Sequence, residues 1–151
     1  MTPQSEHDIE QLNRLIEATL DSAEGYRDAT KASTISRFSP LFTARAGERQ
    51  AIVAQLQAEV RRLGGTAEED GTVLGAAQRW FNTLKNSVVG SEASVIAEVE
   101  AGEDHVKEVY EAALADGKLS ADIRTKIQAA FVSIKAGHDQ MRDLKKAQQA
   151  S

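Results

Sequence analysis

Four long stretches of this chain carry apolar residues three and four apart, and none alternates in the two-residue rhythm of a strand. Only two prolines interrupt the 151 residues, Pro3 and Pro40. Each helix so patterned has one apolar stripe to bury, and four stripes of similar length can bury one another. The expected fold is therefore all-α, a four-helix bundle in a single domain over residues 1–151.

The first long helix is expected over residues 7–30, with Ile9, Leu12, Ile16, Leu20 and Ala23 on one face. The second opens at Pro40, with Ser39 as its cap, and carries Phe42, Ile52, Val53, Leu56, Val60 and Leu63 to a stop at Gly64 and Gly65. A third runs over residues 91–115 with Val95, Val99, Val106, Tyr110 and Ala113 inward. The fourth runs over 120–149 from a cap at Ser120, with Ile123, Ile127, Phe131, Ile134, Met141 and Leu144 inward. The core is expected to centre on Ile16, Leu20, Ile52, Leu56, Val99, Val106, Ile127, Phe131 and Ile134. Between the second and third helices lies a long connection with one short helix over 72–88, holding Trp80, Phe81 and Leu84. So long a link suits a crossover along the bundle rather than a hairpin, and it lets the second and third helices run parallel.

Composition excludes several functions. With no cysteine there is no disulfide framework, thiolate ligand or cysteine nucleophile, which fits the cytoplasm. The 18 basic and 23 acidic side chains leave a net charge of −5 and are mixed along the chain, so no basic face offers itself to a nucleic acid. No segment approaches the ~18 apolar residues of a membrane span, and the first residues lack the basic and apolar runs of a targeting signal. A soluble protein that stays inside the cell is expected. Gly64 and Gly65 lack the Lys and Ser/Thr of a phosphate loop, and residues 116–120 lack the alternating acids of a calcium loop. No catalytic residue and no organic-cofactor site is legible.

One constellation does carry chemistry. With the crossover in place, Glu24, Glu48, Glu103 and His138, one on each long helix, fall within roughly two helical turns of one level at ~1.5 Å rise per residue. Carboxylates and imidazole converging inside a bundle can hold a metal, and these ligand types fit iron, manganese or zinc. His138 lies in the middle of its apolar stripe and Glu103 between Val99 and Val106, so both are expected to point inward and approach each other. Glu24 and Glu48 sit nearer the stripe margins, where Arg27, Arg45 and Arg49 are equally placed to look inward. The layer can thus neutralise itself without a metal, as a buried histidine and salt-bridged carboxylates. His7 and His105 are expected to be exposed.

The blocks DSAEGYRDA at 21–29, ERQAIVAQLQAEVRRLGG at 48–65, GTVLGAAQRWFNTLK at 71–85, EAGEDHVKEVYEAAL at 100–114 and IKAGHDQMRDL at 134–144 together give a resemblance. The chain resembles the bacterial ferritin-like four-helix-bundle proteins of an uncharacterised family, a domain of unknown function. The resemblance implies the ferritin-like up-down bundle with its long crossover, and no established reaction. Ferritin-like di-iron proteins pair a Glu on each of two helices with a Glu-x-x-His on each of the other two. Here Ala51 stands three after Glu48 and Lys135 three before His138, so both pairs are broken. Two readings follow. One is a non-catalytic bundle with a structural polar layer, a homodimer or the binder of another protein, linked to stress. The other is a metal-binding or redox protein using Glu24, Glu48, Glu103 and His138 as a reduced ligand set.

Overall fold

The computed structural model describes residues 2–31, 37–71 and 92–150. Among them are four long helices, α1 (Pro3–Ala29), α2 (Ser39–Arg62), α3 (Glu92–Leu114) and α4 (Ala121–Ala150), and no strand. The short helix expected over 72–88, with Trp80, Phe81 and Leu84, lies outside the described residues.

Local chemistry sets the helix ends. Thr2 caps α1 by accepting the Ser5 amide at 3.0 Å, and Pro3 occupies the first turn, where its missing N–H costs nothing. The helix therefore begins before the residue 7 expected from its apolar stripe, because the Thr-Pro start sets its first turn. In α2 the cap position belongs to Phe38, which makes no side-chain cap bond; Ser39 is already helical. α2 ends in a Schellman motif: Gly64 takes φ 87° and donates to Arg61 O, and Gly65 donates to Val60 O at 3.0 Å. Ser120 caps α4 as expected, accepting the Ile123 amide at 3.3 Å.

Contacts between the helices fix their directions. Near one end, Ile9 of α1 touches Gly65 beyond α2, and near the other Tyr26 meets Phe42. Gln4 donates to Lys118 O just after α3, and Thr19 bonds Tyr110. Glu92 at the start of α3 accepts from Gln148 near the end of α4. Hence α1 is antiparallel to α2 and to α3, and α3 is antiparallel to α4. It follows that α2 and α3 run parallel, as the long connection requires. The described part of that connection already turns back along α1. Gly65 lies on Ile9, Thr66 O and the Glu68 amide bond the Asn13 side chain, and Gly71 closes on Asp21. From Ile9 to Asp21 is about 18 Å of helix axis.

The core comes in two parts. The larger holds Leu12, Leu15, Ile16, Leu56, Val106, Tyr110, Ile127 and Ile134, and the smaller holds Tyr26, Phe42, Val95, Ile96, Val99 and Met141. Seven of the nine expected core residues are buried, while Leu20 and Phe131 are partly buried and pack on the larger cluster. Between the two parts a band of polar side chains crosses the bundle.

Candidate functional site

At the centre of that band, the Arg49 and Glu103 side chains are 0% and 1% exposed. Arg49 Nη1 donates to Glu103 Oε1 at 2.7 Å and Nη2 to Oε2 at 2.8 Å, a two-pronged ion pair that uses both carboxylate oxygens. Nη1 also donates to Ser22 Oγ at 2.5 Å, so the pair ties α2 to α3 and α1. The guanidinium lies over the Tyr26 ring, 5.7 Å from its centroid. Its room comes from Gly137 on α4, where a Cβ would collide with Arg49 Nη2 and meet Arg45 Nη1 at 3.0 Å. Burial works against the Arg49 charge, but the hydrogen bonds and charge of Glu103 outweigh it and hold its pKa above the ordinary arginine value.

Only two of the four residues expected to form the layer are buried, and they take different partners. Glu103 is claimed by Arg49, whereas His138 Nε2 lies 2.6 Å from Asp104 Oδ1 and its Nδ1 lies 3.0 Å from Asp139 Oδ1. Glu24 and Glu48 are exposed, each paired with an arginine of its own helix, Arg27 at 2.5 Å and Arg45 at 2.8 Å. Each lies one residue, about 100° around its helix, from a buried neighbour, Ala23 for Glu24 and Arg49 for Glu48. His105 is exposed as expected, but His7 is half-buried against Asp116 at 2.5 Å. That contact joins the start of α1 to the α3–α4 turn; the Lys118 amide first, and then His7, hold the Asp116 carboxyl below its usual value.

Among the described residues, the acids and imidazoles close enough to share an ion are a different set, Glu100, Asp104 and His138. Glu100 and Asp104 are one turn apart on α3 and bracket Glu103, and sequence reasoning missed both. The signal was an i, i+4 acidic pair on the flank of the stripe that carries Glu103.

The only two tyrosines of the chain flank the band. Burial first, and then the Glu103 charge, raise the Tyr26 pKa well above its ordinary value; burial pushes Tyr110 up to about 12. The Tyr26 hydroxyl and Arg49 Nε find no hydrogen-bond partner among the described residues. Folding thus favours both neutral phenols. That stabilisation is complete below the unfolded pKa of about 10 and is lost as pH rises through the folded values. Alkaline titration followed by tyrosinate absorbance is expected to show no ionisation at pH 10 to 11, then one cooperative rise coinciding with the loss of helix. A smooth titration at an ordinary tyrosine pKa in the folded protein would place both hydroxyls in water.

No described helix is long and apolar enough to cross a membrane. The model of one protein family, described as a domain of unknown function (DUF2383), matches residues 7–116, which take in most of α1 and all of α2 and α3 and stop in the turn before α4. No curated protein and no solved structure matches the chain.

Proposed function

We propose that this chain, which belongs to the family of that domain of unknown function, is a bacterial ferritin-like bundle whose central polar layer is structural. In this reading it is not an enzyme. It works in the cytoplasm as a homodimer or on another protein, in a stress response. The parallel α2 and α3 and the returning chain after Gly65 support the ferritin-like topology.

The Arg49–Glu103 pair carries the reading. A metal ion at Glu103 would have to displace a guanidinium that already occupies both carboxylate oxygens, and would strand the arginine charge in a site with no exposure. An unpaired buried charge costs several kcal/mol. The layer therefore carries its own cation, and the broken Glu-x-x-His pairs at Ala51 and Lys135 agree with that.

The test compares wild type with the double variant Arg49→Met, Glu103→Leu, both purified without a metal-affinity tag, by elemental analysis and sedimentation. The expected result is a folded bundle of the same oligomeric state in both, with the same metal content. Stoichiometric iron, manganese or zinc in wild type that disappears in the double variant would instead establish a metal held by Glu103, and with it the redox reading.

A further inference from the structure

The groove between α3 and α4 holds a second polar cluster, which the central ion pair does not use. Glu100 and Asp104 present carboxylates from successive turns of α3, and His138 meets them from α4. One ligand atom from each lies within 4.8 Å of the other two. The geometry points to a divalent transition-metal site formed by Glu100, Asp104 and His138, with Asp139 orienting the imidazole and Lys145 filling the place of the ion when none is bound.

The set is more than a cluster of acids, because its centre is an oriented imidazole. His138 Nδ1 lies 3.0 Å from Asp139 Oδ1, the outer carboxylate that a ligating histidine commonly has behind it. With Nδ1 turned toward Asp139, Nε2 faces Asp104 Oδ1 at 2.6 Å. Nε2 and the Asp104 carboxylate thus converge on one point, which a divalent ion can share. Asp139 is itself anchored by Lys135 at 2.7 Å, with Arg142 at 3.4 Å.

Glu100 supplies a separate argument. It is 8% exposed, yet its ion pair is to Lys145 Nζ at 3.3 Å, longer than the ~2.8 Å of a good charge-assisted bond. A nearly buried carboxylate compensated this weakly favours a closer cation. The Lys145 side chain is 38% exposed and can swing into water when displaced. With bonds of ~2.1 Å, ligand atoms of one ion lie at most ~4.2 Å apart, so the three have to close by under an ångström. Carboxylates plus one imidazole suit zinc, iron(II) or manganese(II), with zinc bound more tightly than manganese. Three protein ligands leave coordination positions for water, since the Asp104 side chain is half-exposed.

This site is separate from the Arg49–Glu103 pair and does not depend on that pair being structural. The experiment is calorimetric titration of chelator-treated, tag-free full-length protein with zinc chloride, repeated with manganese chloride. Wild type is expected to bind one zinc per chain, and manganese more weakly. Glu100→Gln and Asp104→Asn should each weaken zinc by at least the roughly tenfold that losing even an outer-shell partner costs. Lys145→Met should tighten it by removing the competing ammonium, Glu48→Gln should change nothing, and the Arg49→Met, Glu103→Leu protein should still bind. Asp104 is exposed enough for its variant to fold, which circular dichroism checks. Absence of zinc binding by wild type would overturn the site. So would undiminished binding in both ligand variants, or an unchanged affinity in Lys145→Met.

Discussion

Replacing Glu103 by Leu is expected to cost ~3–5 kcal/mol of unfolding free energy, and replacing Arg49 by Met about as much, because each leaves the other charge buried without its partner. Arg49 has no exposure and Glu103 1%, so water cannot take over from the lost partner without opening the bundle. Making both changes together should recover most of the loss. Met and Leu fill much of the same volume, neither needs a hydrogen bond, and the remaining polar contact, Ser22, retains a small hydroxyl. Denaturant unfolding of the four proteins gives the coupling energy directly. Additive losses in the double variant would mean that the site rejects apolar side chains, and that the pair stabilises the fold beyond cancelling its own burial.

Which carboxylate would be buried was only half legible. Periodicity places Glu103 and His138 inside their stripes, and both are buried. It puts Glu24, Glu48 and Arg49 alike near stripe margins, where a rotation of one residue decides between core and solvent. Glu48 and Arg49 are neighbours, about 100° apart on α2, and the arginine took the interior. The sequence held one clue to that choice. Gly137, beside His138, removes a side chain from the middle of the α4 stripe, and the guanidinium of Arg49 lies where its Cβ would be. A glycine inside a long apolar stripe marks a place where something large must fit. The partners of His138 were not legible in the same way, because Asp104 and Asp139 lie on helix flanks, where composition cannot separate a solvated acid from a bound one.

Architecture was read more fully than the site. Four stripes, the glycine stop after α2 and the Ser120 cap all correspond to observed elements, since each rests on local rules that tertiary contacts did not override. The start of α2 departs from those rules. Ser39 and Pro40 look like a cap and a first turn, but Ser39 is helical and Phe38 stands at the cap without a side-chain bond. What stabilises this end is packing rather than capping, as the aromatic cluster around it shows: Phe38 stacks on Phe42 at 6.4 Å, and Arg37 lies over the Phe38 ring.

Phe42→Ala is therefore expected to be among the most damaging single truncations in the smaller half of the core. Phe42 is fully buried, meets the Tyr26 ring edge-on at 5.4 Å, and belongs to the cluster containing Val95, Ile96, Val99 and Met141. Its removal leaves a cavity between α1 and α2 at a helix start that has no cap to hold it, so the loss should reach ~3–5 kcal/mol. In a chain of this size that corresponds to a fall in melting temperature of roughly 6–20 °C. Phe42→Leu, which keeps much of the volume, should lose well under half as much. Val132→Ala provides the contrast, since Val132 is 73% exposed and its truncation should stay within about 0.5 kcal/mol of wild type. Hydrogen exchange adds a local readout: in Phe42→Ala the amides of the first turns of α2 should lose protection before those around Val53 and Leu56, which the larger cluster holds independently. If Phe42→Ala proved as mild as Val132→Ala, the ring would not be the anchor of α2, and the start of that helix would have to be held by contacts other than its aromatic packing.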